Sequence, residues 1–252
     1  MKTYIINLPS AAERKTYMDN IIKQCDLIEP IFFEAVDGRT MTEEERRLSF
    51  DYDRSFKEYG RMLRNGEVGC TLSHYRIYKQ IIDSKDKCAM IFEDDIEIIS
   101  DINNDLLPVI KPYYDTDIPT VVLLSGKYEY YKLKKINNTY KIASVFDAHG
   151  TYGYIINDNA AGIIMNEKPF WCADDWWYFR SKGVNVFGIK PHYVEPLSRE
   201  VMPSYVQTNN ISDNGYIRKN MSVFKAIKSY YRFGIRKMLR FVGLCEPEYR
   251  RY

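Results

Sequence analysis

The apolar run Cys88-Ala89-Met90-Ile91-Phe92 passes without a break into Glu93-Asp94-Asp95. A short apolar run that follows a helix-like stretch reads as a buried strand of an α/β sheet. The three acids that end it are not core residues, because an unpaired carboxylate is costly to bury. In open α/β sheets, ligands collect at the carboxyl ends of strands. Clustered carboxylates at that place suit a hard divalent cation, Mg²⁺ or Mn²⁺, which is most useful beside a diphosphate. For the tripeptide alone, the competing reading is an exposed acidic turn.

The same alternation continues along the chain. Strands are expected at 3–8, 30–34, 88–92, 120–125, 151–157 and 184–189, and helices at about 10–24, 41–49, 67–83 and 158–165, which favours an α/β sandwich. At 252 residues the chain holds one substantial domain, and no Pro/Gly/Ser-rich linker divides it. Ser10 and Glu13 form a capping box for the first helix. Residues 126–150 are expected as a hairpin turning at Asn137-Asn138, and 196–217 as a loop long enough to cover a site. No GxGxxG or Walker string follows the first strand, which argues against a dinucleotide-binding enzyme or a P-loop NTPase.

Five cysteines without CxxC spacing point to reduced thiols and a cytoplasmic setting. The opening MKTYIINLPS is too short for a signal peptide or a membrane span and reads as a strand. Charge is unevenly placed. Residues 218–252 carry ten Lys/Arg against Glu246 and Glu248, a local +8 in a chain of net +2, so the other residues carry −6. An acidic body with a basic tail is two surfaces, not one nucleic-acid-binding face. The 22 tyrosines come with no RNA-binding string and are read as surface and pocket material.

Five strings stand in order: YIINLPSAAER, FFEAVDGR, GEVGCTLSHYRIYKQII, AMIFEDDIEI and GTYGYIINDNAA. Together they resemble glycosyltransferase family 25, which includes bacterial lipooligosaccharide glycosyltransferases and collagen galactosyltransferases. The resemblance covers roughly residues 3–213. It departs at Pro9-Ser10, where the family usually has an Arg, and keeps Arg14. It implies a GT-A-like single domain (1–217) with a mostly parallel central sheet flanked by helices. It also implies a nucleotide-sugar donor, usually a UDP-hexose and often UDP-galactose, and inversion at the anomeric carbon.

Asn7 and Leu8 end the first strand, where Asn7 either meets a base or ribose or satisfies a turn. Arg14 is placed to meet a phosphate, or to pair with Asp37 or a surface acid. Ala35-Val36-Asp37-Gly38 leaves the second strand through an Asp-Gly turn, and the resemblance puts Ala35 and Asp37 in the nucleoside pocket. The glycines of 66–74 let backbone approach a ligand at a helix start, where free N–H groups favour anions. Glu67, Ser73 and His74 are donor-site candidates on the family string alone. His74 by itself reads as a structural hydrogen-bond partner, and Cys70 as a small buried packing residue.

In extended chain, Glu93 and Asp95 share one face and Asp94 takes the other. Asp95 is the expected direct metal ligand, with Glu93 and Asp94 holding metal-bound water or ribose hydroxyls. A cation bridging the phosphates stabilises the charge of departing UDP. His192 is the expected third ligand, since GT-A enzymes commonly place a late His on the metal; the alternative is a structural imidazole.

An inverting transfer needs a base to take the acceptor proton. Asp174 or Asp175, beside Trp171, Trp176 and Trp177, resembles the late Asp of the family and supplies it, with Asp174 preferred; a helix N-cap is the alternative for either. Residues 218–242 form a basic amphipathic helix suited to an anionic membrane, or else to docking on the acidic body. The expected function is metal-dependent transfer of a hexose from a UDP-sugar to a lipid-linked or cell-surface glycan precursor at the inner face of the plasma membrane. The alternatives are a metal-dependent phosphoesterase and a degenerate transferase that only binds nucleotide sugars.

Overall fold

Strand β1 (Lys2–Asn7) is buried along Thr3–Ile5 and pairs in parallel with β2 (Glu29–Glu34) on one side and β3 (Cys88–Glu93) on the other. The computed structural model describes residues 1–23, 25, 29–99, 106–197 and 223–245. The sheet continues through β5 (Thr120–Leu123), β6 (Lys127–Lys135), β7 (Lys141–His149), β8 (Gly153–Asn157) and β9 (Asn185–Lys190), in the order β2-β1-β3-β8-β5-β9-β7-β6. Only β8 and β7 run against the other strands of this eight-stranded sheet, so the expected mostly parallel sheet is present. A second, two-stranded sheet pairs β4 (Ile96–Ile98) with β10 (Val194–Pro196).

Alternation along the central strands divides the core into two layers. Tyr4, Ile91, Val121, Tyr154 and Ile156 face helices α4 (Asn65–Asp83), α6 (Asp158–Met165) and α7 (Trp176–Ser181). Ile5, Met90, Phe92, Val122 and Ile155 face α1 (Ala12–Ile22) and α5 (Leu106–Tyr114). With both faces covered, the central strands are continuous apolar runs, which made them visible in the sequence.

Two points differ from expectation. The Ser10–Glu13 capping box is absent: Ala11 is the N-cap and makes no side-chain cap bond. The turn into α1 is held instead by Ala11 N–H donating to Leu8 O at 2.8 Å and Asn7 Nδ2 donating to Ala11 O at 3.2 Å. A capping box does form at Thr42 and Glu45, opening α2 (Glu43–Ser49). Helices α3 (Tyr52–Tyr59) and α5 were not expected from the sequence, whereas α7 follows the N-cap alternative for the two late aspartates. The cover loop, from residue 198 onward, lies outside the described residues.

Helix α8 (Val223–Phe241) packs on the β6–β7 hairpin, which turns where expected. Arg232 donates through Nε and Nη2 to the two oxygens of Asp147, both at 2.7 Å. Arg240 Nε lies 2.5 Å from Glu129, and Arg236 Nε lies 3.2 Å from Glu129 and 3.4 Å from Asp147. Asp147 and Glu129 are buried, as is Leu239 of the helix. The docking alternative therefore describes the inner face of this helix. Its outer face exposes Ile227, Tyr230, Tyr231, Phe233, Met238 and Phe241. Among the described residues, no helix is long and apolar enough to cross a membrane.

Candidate active site

The carboxyl ends of β1 and β3, the turn after β2 and the start of α4 enclose a cleft of about 210 Å³. All three acids of the β3 terminus reach it, but not equivalently. Asp94 is buried and already satisfied: Asn7 Nδ2 donates to it at 2.7 Å and Arg14 Nη1 at 2.6 Å. Arg14 also stands 3.4 Å from Asp95. These bonds tie β1 and α1 to the end of β3: Arg14 pairs with the β3 acids rather than with Asp37, and Asn7 holds both Asp94 and the turn at Ala11. Arg14 and Leu8 line the cleft.

Glu93 ends β3 and Asp95 lies in the bend that follows, and both line the cleft. Asp95 Oδ1 is buried and has no hydrogen-bond partner. Burial raises the Asp95 pKa against the opposing effect of Arg14. Burial, then the charge of Asp95, pushes Glu93 up to about 8. Glu93 also accepts a hydrogen bond from Thr151 Oγ1. Two carboxylates that resist ionising side by side, one with an orphaned oxygen, are a donor set that a hard divalent cation satisfies. Mn²⁺ or Mg²⁺ fits them.

Backbone contact brings α4 to this place. A Cβ on Gly69 would lie 2.4 Å from Val36 O and 2.5 Å from Gly38 N, and one on Gly38 would lie 2.0 Å from Asn65 O. Both positions require glycine. Ser73 Oγ accepts from Val36 N–H at 2.8 Å and donates to Gly69 O at 2.8 Å, locking the same junction from a cleft-lining position. Ala35 and Asp37 line the cleft too, with Asp37 held by Arg39 at 2.6 and 2.7 Å and its pKa lowered by that hydrogen bonding. Glu67 is turned away from this role. Its carboxylate is held by Arg61 at 2.6 and 2.7 Å and by Arg64 N–H at 2.7 Å, as the N-terminal lock of α4.

His74 is buried on α4, with Nδ1 2.7 Å from Tyr154 Oη, which in turn lies 2.7 Å from Tyr78 Oη. Burial lowers its pKa to about 3, so the ring is neutral. Cys70, expected as packing, instead lines the cleft. His192 does not line the cleft; its ring lies 5.5 Å from that of Tyr128, the arrangement of a structural imidazole.

The two late aspartates divide. Asp175 caps α7 by accepting from Tyr178 N–H at 3.2 Å, accepts from Tyr59 Oη at 2.7 Å, and stands 3.5 Å from Arg232. Asp174 accepts from Gly150 N–H at 3.2 Å and adds its negative charge to the field at Glu93 and Cys70. Thr151, Tyr154 and Tyr59 were missed as partners of the site. The first two lie in the GTYGY string, whereas nothing in the sequence marks Tyr59.

Residues 1–173 match the family described as glycosyltransferase family 25 (LPS biosynthesis protein). A procollagen galactosyltransferase 2 of Homo sapiens is 22% identical over 90% of this chain and 40% of its own length. A glycosyltransferase, R655, of Acanthamoeba polyphaga mimivirus is 26% identical over 66% of this chain and 52% of its own. A glycosyltransferase 25 family member of Aedes aegypti is 26% identical over 66% of this chain and 28% of its own. The chain thus spans at most about half the length of these relatives. The family match extends over more than half of the chain and takes in the cleft acids and the glycine junction, and the chain belongs to glycosyltransferase family 25.

Proposed function

We propose that this glycosyltransferase moves a hexose, galactose in the first instance, from a UDP-sugar to a lipid-linked or cell-surface glycan precursor such as lipooligosaccharide, with inversion. The observation that carries the reading is the pair Glu93 and Asp95 facing one cleft, with Asp95 Oδ1 buried and unsatisfied. Galactose is supported by the relatives that are procollagen galactosyltransferases. Family membership favours transfer over the phosphoesterase alternative.

Asp95 and Glu93 would hold Mn²⁺ or Mg²⁺, which neutralises charge on the leaving diphosphate. Asp94 does not compete for it, because Asn7 and Arg14 occupy its oxygens. Leu8, Ala35 and Asp37 form the wall assigned to the nucleoside. Asp174 is the base: it takes the proton of the acceptor hydroxyl as that oxygen attacks the anomeric carbon and the sugar–phosphate bond breaks. The outer face of α8, apolar and basic with no acid between residues 223 and 241, suits the surface of an anionic membrane, and the enzyme is assigned to its cytoplasmic side. A panel of UDP-sugars, incubated with Mn²⁺ and a lipid-linked glycan extract, tests the reading. Product mass and metal-dependent rise of melting temperature should single out one donor. If no nucleotide sugar raises the melting temperature and none is turned over, the reading fails.

A further inference from the structure

Cys70 and His74 stand one turn apart on α4, so both side chains project from the same helix face. With Glu93 they place a sulfur, an imidazole nitrogen and a carboxylate oxygen all within 4.8 Å of one another. His74 Nε2 lies 3.9 Å from Glu93 Oε1. It is buried, with no hydrogen-bond partner, on a side chain only 2% exposed. We propose that Cys70, His74 and Glu93 form a site for a thiophilic divalent cation of the zinc class, distinct in ligand chemistry from the carboxylate site for Mn²⁺ or Mg²⁺.

Separations of this size surround a cation bound at about 2.0 Å by nitrogen or oxygen and about 2.3 Å by sulfur after small adjustments of the side chains. The supporting hydrogen bonds are in place. Tyr154 Oη sits 2.7 Å from His74 Nδ1; with Nδ1 protonated and donating, the Nε2 lone pair faces Glu93. Thr151 orients Glu93 from the other side. Such outer partners fix the ligand orientation in metal sites. Thiolate and imidazole select Zn²⁺, whereas carboxylates and water suit Mn²⁺ and Mg²⁺. Three protein ligands leave a tetrahedral ion one open position, and all three ligands line the cleft. Because Glu93 belongs to both sets, Zn²⁺ at this site competes with the donor cation and inhibits transfer. That consequence rests on the proposed function; the binding itself does not.

The full chain, freed of metal, is titrated with Zn²⁺ against a chromogenic chelator and separately with Co²⁺ as an optical probe. One Zn²⁺ per chain and a thiolate-to-Co²⁺ charge-transfer band are expected. Cys70→Ser should remove the band and weaken Zn²⁺ by about tenfold or more, as should His74→Gln for affinity; Cys245→Ser should leave both as they were. A wild-type Co²⁺ complex lacking the charge-transfer band overturns the site without recourse to any variant. So does Zn²⁺ affinity undiminished in a folded Cys70→Ser protein. Zn²⁺ binding without any transfer activity keeps the site and counts against the transferase reading alone.

Discussion

Asp95 carries one oxygen, Oδ1, that is buried and unsatisfied. Asp95→Asn removes one carboxylate charge from the cation's coordination while keeping side-chain volume, so transfer should nearly vanish with the melting temperature of the metal-free protein held or raised. Full transfer at unchanged Mn²⁺ concentration would remove Asp95 from the metal set. The two late aspartates should respond oppositely. Asp174→Asn is expected to lower kcat about 10²–10⁴-fold with donor affinity retained, whereas Asp175→Asn is expected to lose about 1 kcal/mol or more of stability and little rate. Equal and mild losses of rate in both variants would mean that neither is the base. That Glu93, Asp94 and Asp95 end a buried strand was legible in the sequence because the apolar run of β3 is local, whereas the bend at Asp94 and Asp95 was not. Nor were the roles of Asp94 and Glu67. Asp94 is claimed by Asn7 and Arg14, 87 and 80 positions away, and no local pattern shows such partners. Glu67 differs: its partners Arg61 and Arg64 are near in sequence, but the family string implies a ligand contact there and not a cap.

Among the elements, α4 and the turn after β2 meet backbone to backbone through Gly38 and Gly69. Gly69→Ala puts a methyl 2.4 Å from Val36 O, and one of the two segments must move. The expected result is a loss of roughly 1–3 kcal/mol together with weaker donor binding, read by urea unfolding and nucleotide-sugar titration. Unchanged values for both would show that the junction is compliant. Here the sequence was informative on the place, since GEVGC puts two glycines at a helix start, but not on the role, because Gly69 admits the backbone of Val36 and Gly38 rather than a ligand. It offered α7, six residues long, only as the helix that the late aspartates would cap, and was silent on α5, which contains Pro112 and reads as a break. Both are held by tertiary packing: Trp176 and Phe179 in one core layer, Leu106 and Ile110 in the other. Beside α7, Glu167 accepts from Tyr178 Oη at 2.7 Å and pairs with Lys182 and with Arg54 of α3. Burial acts to raise its pKa, but these partners outweigh it and hold the pKa at about 2, below the unfolded 4.5. The folded pKa is the lower one, so the stabilisation is present above the unfolded value and is lost as pH falls toward the folded one. Glu167→Gln should therefore destabilise at about pH 5 more than at about pH 3. Equal effects on the urea midpoint at both would show that the ion pairs contribute nothing.

For the whole molecule, the basic tail and the acidic body turn out to be complementary in detail. The sequence showed the charge imbalance, +8 against −6, and the helical spacing of the tail. It did not show that Arg232, Arg236 and Arg240, one helix face, meet Asp147 and Glu129, which lie at 0% and 3% exposure on the β6–β7 hairpin. That pairing crosses the fold, and the hairpin's acids look like ordinary strand residues until the helix covers them. Arg232 also reaches Asp175 at 3.5 Å, so the tail supports the loop that carries Asp174. Removing 218–252 leaves buried carboxylates without their cations, and breaking buried pairs from one side costs roughly 3–5 kcal/mol. A truncated chain is therefore expected to melt lower and to lose transfer, independently of any membrane. The same truncation carrying Asp147→Asn and Glu129→Gln should recover part of the stability, because the uncompensated charges are gone. Recovery of stability without recovery of vesicle binding would assign the inner face of α8 to the fold and its outer face to the membrane. A truncated chain as stable as the full one would show instead that the ion pairs seen here contribute little, and that the helix is only an appendage.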